Sequence, residues 1–219
     1  MLWYPVRKGC VMFPRYRYFL DPATFAPHCH DACECDICGV EKPCFDASGY
    51  GGEGEYRAFC PDCVAKGRLG EVGAFAREPD YHALRAQLKD LNPSLSEPLI
   101  DNKARSITRN FELRTPLFPA WQDWPWPAHC GDYCLFQALA GQGELNALSP
   151  KRKGKEMLQQ FLHHSLVSTT DIDDLWEALK PGSIVGMDKS CDIWETMAYV
   201  FKCHHCGEIV ILWDSRHSR

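Results

Sequence analysis

The chain has 219 residues, 45% hydrophobic and 12% aromatic, a composition that indicates a packed globular protein and excludes a disordered one. Its formal net charge of −5 disfavours non-specific binding to nucleic-acid phosphates and favours basic partners. Residues 1–19 contain no apolar run followed by a small-residue cleavage site, and no stretch approaches about 18 uninterrupted apolar residues. We therefore expect a cytoplasmic protein with no membrane partner.

Thirteen cysteines are the most informative part of the composition. An odd number in a chain without a secretion signal argues against a framework of extracellular disulfides. Several of them lie two residues apart, as metal ligands do, so the composition favours metal binding over redox chemistry in a reducing cytosol. Two zinc sites with four thiolates each would take the charge of the folded protein to about −9, because ligating thiols are deprotonated.

The first part of the chain is expected to be irregular apart from one short strand. Prolines interrupt residues 1–30, and the alternation over residues 13–19 predicts that strand. The glycines of residues 49–54 predict a flexible hairpin tip; a phosphate-binding loop is the less favoured alternative, because no Lys-Ser/Thr pair follows.

The remaining elements follow from hydrophobic periodicity and from helix stop and start signals. Large rings among prolines over residues 111–127 predict a core strap, in preference to a partner-binding surface. Asp171 or Thr170 is the expected N-cap of the last helix. The predicted elements are a helix over 78–91, a polar connector over 92–110, helices over 129–140, 153–166 and 170–179, and strands over 194–202 and 209–213.

The strongest local signal is a pair of Cys-x-x-Cys knuckles, Cys35 with Cys38 and Cys60 with Cys63. Two intervening residues let a tight turn aim both sulfurs at one metal, and Gly39 relieves the turn because glycine adopts positive φ. Four thiolates fill a tetrahedron and leave no position for a substrate. Structural zinc in a zinc ribbon or treble clef is therefore favoured over a redox dithiol or a catalytic zinc.

A second site is assembled from distant parts of the chain. Cys203 and Cys206 repeat the knuckle, and Cys130 and Cys134 supply the missing half, since residues four apart share one face of the predicted helix. Such a site would tie the middle of the chain to its end, and zinc binding would add folding free energy. The open alternatives are that His129, His204 or His205 replaces one thiolate, or that no metal binds.

The remaining cysteines and nearby histidines are not expected to bind metal. Those next to the first knuckle are bystanders, because the Cys35/Cys38 spacing is better, and the isolated cysteines are buried free thiols. These residues are His28, Cys29, His30, Cys33, Cys10, Cys44 and Cys191.

None of the common hydrolase, nucleotide-binding or zinc-deaminase motifs occurs in the sequence, so we expect a binding protein and not an enzyme. A predicted surface helix carries four acidic residues. A solvated face is the simpler interpretation; alternatively, these carboxylates imitate nucleic-acid phosphates and meet a basic groove on a partner. The four are Asp171, Asp173, Asp174 and Glu177.

The order of several motifs resembles the CbrC family, which is associated with tolerance to a DNase-type colicin, and the resemblance spans almost the whole chain. It is carried by Phe19-x-x-Pro22, Cys35-x-x-Cys38-Gly, Cys60-Pro-x-Cys63-Val, Arg114-Thr-Pro-x-Phe118, His129-Cys130-x-Asp-x-Cys134 and Phe201-x-Cys203-x-x-Cys206-Gly. It implies an immunity or tolerance protein that binds a nuclease toxin and occludes its active site.

We therefore predict an α+β protein with zinc-ribbon or treble-clef-like knuckles, helices packed on short antiparallel strands, and two structural Zn²⁺ ions. It is expected to form one domain, 1–219, with a zinc-ribbon-like submodule over 28–75 and a C-terminal submodule over 111–219. The alternative functions are a zinc-ribbon regulator that contacts nucleic acid and an enzyme with one open zinc position.

Overall fold

Helices and short antiparallel strands alternate in the computed structural model, which describes residues 13–162, 171–182, 184 and 195–216. The α+β class is therefore confirmed. The helices are α1 (Pro22–Phe25), α2 (Pro61–Ala65), α3 (Tyr81–Leu91), α4 (Glu97–Arg114), α5 (Gln142–Leu148), α6 (Gly154–Phe161) and α7 (Ile172–Ala178), with 3-10 turns at Arg68–Val72 and Pro150–Arg152. The strands are β1 (Cys33–Glu34), β2 (Glu41–Lys42), β3 (Phe45–Asp46), β4 (Ala58–Phe59), β5 (Ala128–His129), β6 (Asp132–Tyr133), β7 (Leu135–Ala140), β8 (Thr196–Lys202) and β9 (Ile209–Ser215).

The central sheet has the order β7-β8-β9, and both pairings are antiparallel. Six of the seven residues of β8 are buried, because both faces of this strand are covered. Tyr199 and Phe201 face the main core, whereas Ala198 and Val200 face a smaller cluster formed with α5, α6 and α7. Cover on both faces explains why residues 197–201 of β8 are all apolar instead of alternating with polar residues.

The predicted aromatic strap is confirmed as part of the main core. Phe118, Trp124 and Trp126 are 3%, 7% and 1% exposed. The ring of Phe118 stacks on that of Phe136 in β7, with 4.2 Å between centroids. The strap therefore covers one face of the sheet with large rings, each of which contributes substantial buried apolar area.

The predicted helices over 78–91, 153–166 and 170–179 correspond to α3, α6 and α7. Asp80 caps α3 by accepting a hydrogen bond from the backbone of Ala83 at 2.8 Å, and Asp171 is the N-cap of α7. Residues 163–166 and 170 lie outside the described residues. The predicted hairpin tip at 49–54 lies between the paired strands β3 and β4. Among the described residues, no helix combines the length and apolarity needed to cross a bilayer.

Two predictions in the first half of the chain were wrong. The connector over 92–110 is mostly α4, an 18-residue helix whose Pro98 stands in the first turn, where proline is tolerated. Ile100, Ala104 and Phe111 form the buried face of this helix, at helical spacing. Residues 13–19 form no regular strand; Phe19 forms an isolated bridge with Phe136.

The predicted helix over 129–140 was also wrong, because this segment forms β5, β6 and β7. Cys130 and Gly131 have φ angles of 54° and 74° and form the two-residue turn between β5 and β6. Turns with positive φ at both central residues suit the twist of a hairpin, and glycine at the second position is favourable. The apparent helical spacing of Cys130 and Cys134 therefore has no structural meaning.

Candidate metal centres

The first candidate centre contains the four predicted cysteines, Cys35, Cys38, Cys60 and Cys63, whose sulfurs all lie within 4.8 Å of one another. The sulfurs of Cys38 and Cys60 are 3.9 Å apart. Four thiolates at about 2.3 Å from a tetrahedral zinc would have an edge of about 3.8 Å. The spacing therefore fits the prediction of a four-thiolate site.

A turn positions the sulfurs of the first knuckle, and the start of a helix positions those of the second. The first knuckle follows β1, and its turn is closed by the amide of Gly39, which has a φ of 67° and donates to the carbonyl of Cys35 at 2.8 Å. The second knuckle begins at Cys60, the N-cap of α2. The carboxylate of Asp36 joins the two halves, because it accepts from the backbone amides of Arg57 and Ala58 at 2.7 and 3.0 Å.

Burial and nearby hydrogen-bond donors shift the pKa values of the thiols in this centre in opposite directions. Burial raises the pKa of the Cys60 and Cys63 thiols. At Cys38, burial is outweighed by hydrogen bonds from the backbone of Val40 and from the neighbouring thiols, which lower its pKa to about 7. The guanidinium of Arg68 donates to the Cys63 sulfur at 3.4 Å. These donors favour the thiolates that a metal requires.

The second candidate centre contains His129, Cys130, Cys203 and Cys206, whose ligand atoms also lie within 4.8 Å of one another. The Nδ1 atom of His129 lies 3.4 Å from the sulfur of Cys206, and a tetrahedral zinc would separate these two ligands by about 3.6 Å. Two hairpin turns meet here, one between β5 and β6 and one between β8 and β9. Gly207, with a φ of 77°, closes the second knuckle.

The prediction that Cys134 completes this centre disagrees with the structure. Cys134 is 0% exposed and packs in the main aromatic core, and burial raises the pKa of its thiol. Because the segment is a hairpin and not a helix, Cys134 does not share a face with Cys130. His129 takes the fourth position, which was one of the alternatives that the sequence left open.

Carboxylates support the hairpin and histidine of the second centre. The Nε2 atom of His129 lies 3.6 Å from a carboxylate oxygen of Glu208, an arrangement that orients histidine ligands in many metal sites. Asp132, which is 5% exposed, accepts hydrogen bonds from the guanidinium of Arg17 at 2.5 Å and from the hydroxyl of Tyr18 at 3.0 Å. These bonds hold the hairpin against the N-terminal segment.

The other candidate ligands lie outside both clusters in the described part of the chain. Cys29, Cys33 and Cys44 surround the first centre as free thiols, of which Cys44 is buried. His28 contacts the carbonyl of Pro22 at 3.1 Å, and the ring of His204 lies edge-on to that of Tyr18. Cys10 and Cys191 lie outside the described residues.

The four acidic residues predicted to meet a partner are exposed on and beside α7. The carboxylate of Asp171 accepts from the amide of Asp173 at 2.7 Å and therefore caps its own helix. Asp173 pairs with Lys155 at 2.8 Å. Asp174 and Glu177 are exposed and form no salt bridge among the described residues.

The fold and the two donor sets define an α+β protein with two groups of side chains that can hold metal ions. The chain belongs to UPF0167, an uncharacterised protein family whose model matches residues 13–215. It is 25% identical over 198 residues to UPF0167 protein PA1536 of Pseudomonas aeruginosa, a match that covers 89% of this chain and 93% of that protein. No solved structure matches the chain.

This family assignment corrects the resemblance to the CbrC family. The family that the comparison shows is UPF0167, and neither its description nor the name of the relative mentions colicin tolerance. The motif order that suggested the CbrC family consists largely of the cysteine pairs and of core residues such as Phe118, which the fold itself requires.

Proposed function

We propose that this protein is held together by two structural zinc ions and acts by binding a basic partner, not by catalysis. The observation that carries the proposal is that each cluster already contains four donors. Four protein ligands complete a tetrahedral zinc and leave no position for a water or a substrate. We further propose a treble-clef-like geometry for the first centre, since one knuckle lies in a turn and the other at the start of α2.

Metal analysis and X-ray absorption test the structural role of zinc. We expect two zinc ions per chain, one bound by four sulfurs and one by three sulfurs and a nitrogen. A folded, metal-free protein, or an oxygen ligand on either zinc, would contradict the proposal, because an oxygen ligand indicates an open, reactive position.

Charge supports the choice of a basic partner. One site with four thiolates and one with three thiolates and a histidine change the net charge from −5 to about −8. Exposed carboxylates of one sign speed association with a basic surface and set its orientation. The proposed contact surface is the exposed side of α7 that carries Asp174 and Glu177.

The narrower prediction that this partner is a nuclease toxin rests on charge alone, now that the resemblance to the CbrC family has been corrected. Co-expression with a nuclease encoded beside this gene, followed by pull-down and a DNA-protection assay, tests it. We expect the D174K/E177K variant to bind the nuclease with at least tenfold lower affinity. The matched control is E53K/E55K, which makes the same change of charge at two other exposed positions. Equal loss in both variants would remove α7 as the contact surface.

A second candidate function, contact with nucleic acid, is favoured by exposed basic residues on α4. Lys103, Arg105 and Arg109 form no salt bridge among the described residues. Three phosphate contacts would give a logarithmic salt dependence with a slope of about −2.7. A gel shift that the K103A/R105A/R109A variant abolishes would support this candidate, whereas the absence of any salt-dependent shift would remove it.

A further inference from the structure

A wide cavity of about 1230 Å³ lies away from both cysteine clusters. Its walls come from the loop after β3, the segment before α3, one side of α4 and the aromatic strap. Arg77 and Trp124 line one part of it, and Phe75, which is 40% exposed, lines another. The backbone of Phe75 is held in place by two hydrogen bonds with Gly51, at 2.9 and 3.0 Å.

Arg77 is a partly buried cation that forms no salt bridge with the residues that the structure describes. Its guanidinium lies 4.7 Å from the centroid of the Trp124 ring and 5.5 Å from that of Phe118. It donates one hydrogen bond, to the carbonyl of Gln122 at 3.3 Å, although a guanidinium has five N–H donors. No carboxylate of the described residues forms a salt bridge with it. Burial lowers the pKa of Arg77 and outweighs the opposing effect of Tyr199, Asp123 and Asp214.

Trp124 belongs to the same wall, and its indole N–H is buried. The residue is 7% exposed, and its Nε1 atom has no hydrogen-bond partner. Buried donors in native proteins are nearly always satisfied, and an unpaired one costs about 1–3 kcal/mol. Of these two groups, the Arg77 guanidinium is the one that lines the cavity as a cation without a salt bridge to the described residues, so it is the group that a negatively charged ligand would pair with. The buried indole of Trp124, whose ring it covers, would report on such a ligand.

We propose that this cavity binds an organic monocarboxylate, with its carboxylate on Arg77 and an aromatic or apolar body against Phe75. The planar guanidinium matches the two oxygens of a carboxylate. The rim argues against a phosphate, because its carboxylates outnumber the two guanidinium groups of the lining, those of Arg77 and Arg105, and would repel a second negative charge on the ligand. The carboxylates of the rim are those of Asp46, Glu78, Asp80, Glu112 and Asp123.

Two sources present this chemistry: a free aromatic acid and the C-terminus of a peptide that ends in an aromatic residue. The probes are benzoate for the first and Gly-Gly-Phe for the second, with benzyl alcohol and the peptide amide as uncharged controls. The observable is the indole N–H signal of Trp124, assigned by its loss in W124F. We expect the carboxylates to move this signal at millimolar concentrations and the controls to leave it in place. The tighter of the two carboxylates identifies the source.

Variants of Arg77 and of the rim test the assignment of the carboxylate. We expect R77Q to weaken binding at least tenfold, since a charge-assisted hydrogen-bond pair is lost. We expect D123N, at an exposed position, to strengthen binding about twofold because it removes a repelling charge. Zinc content and circular dichroism show whether each variant folds; if R77Q does not fold, D123N still tests the site.

Several outcomes would overturn the proposal. They are equal binding of benzoate and benzyl alcohol, unchanged binding in folded R77Q, no response to either carboxylate, or tighter binding of inorganic phosphate than of benzoate. None of these results bears on the zinc centres or on α7, so the proposed function stands or falls separately.

Discussion

The second metal centre gives the sharpest test of the fold, because sequence and structure disagree on one of its ligands. We compare C130S, which removes one of the four donors of the second cluster, with C134A, which changes a core residue. An apparent free energy of about 10–16 kcal/mol for a structural zinc implies roughly 3 kcal/mol for one ligand of four. C130S should therefore weaken the second zinc by about a hundredfold or more. After passage over a competing chelator, we expect the C130S variant to retain one zinc ion per chain.

C134A should behave differently, because Cys134 is 0% exposed within the aromatic core. Loss of a buried sulfur leaves a small cavity and costs about 1–2 kcal/mol, which lowers the thermal midpoint of a chain of this size by about 2–8 °C. Both zinc ions should remain. Zinc content by mass spectrometry and thermal unfolding by circular dichroism measure the two effects. If C134A loses a zinc ion while C130S keeps both, the hairpin over β5 and β6 and the ligand set with His129 are wrong.

Three further predictions follow from the contacts at the two centres. H129C should retain the second metal ion. In the cobalt-substituted protein it should raise the number of sulfur ligands from three to four and strengthen the sulfur-to-cobalt charge-transfer absorption. Loss of the metal would show that the turn cannot place a fourth thiolate. Zinc affinity should fall with falling pH at both centres, because zinc must displace the protons of thiols with raised pKa values. Burial raises the pKa of Cys60 and Cys63 in the first centre, and the hydrogen bond with Cys206 raises that of Cys130 in the second. The first centre should release more protons per zinc, since the second contains one fewer thiol; equal release, measured by calorimetry in two buffers, would contradict this ligand set. D132A should lower stability by about 1–3 kcal/mol, since it leaves the buried hydroxyl of Tyr18 without its acceptor; an unchanged unfolding midpoint in urea would refute this reasoning.

The sequence predicts the four cysteines of the first cluster because each of its two knuckles is a local feature. Two residues between cysteines and a glycine after Cys38 determine a knuckle without reference to the rest of the fold. The strands β8 and β9 are predictable for a related reason, since they flank a second knuckle. Each of these features needs only a few consecutive residues.

The features that sequence reasoning missed depend on context that a periodicity argument does not contain. The prolines near residue 98 look like helix breakers, but Pro98 stands in the first turn of α4, where its missing N–H is not needed. Cys130 adopts positive φ, a conformation that is uncommon for a residue other than glycine and that a periodicity argument does not predict. The four-residue spacing to Cys134 therefore indicated a helix where the chain forms a hairpin. The glycine that follows Cys130 was the one signal for a hairpin.

The cavity around Arg77 could not be predicted from sequence at all. Arg77 and the carbonyl it contacts at Gln122 are 45 residues apart, and neither belongs to a recognisable motif. Only the packing of the aromatic strap against the segment before α3 brings Trp124 under the guanidinium.

The lengths of the strands indicate why bound metal would stabilise this fold at these two places. The strands β1 to β6 each contain two residues and pair in separate two-stranded ribbons, which are marginally stable without added support. The first centre lies where the two N-terminal ribbons meet α2, and most of the buried cluster around it consists of cysteines instead of aliphatic residues. The second lies where the β5–β6 ribbon meets the end of the central sheet. In both places metal–ligand bonds would replace the hydrophobic contacts that longer strands provide, so a surface built on these ribbons would keep its shape only while the metal is bound.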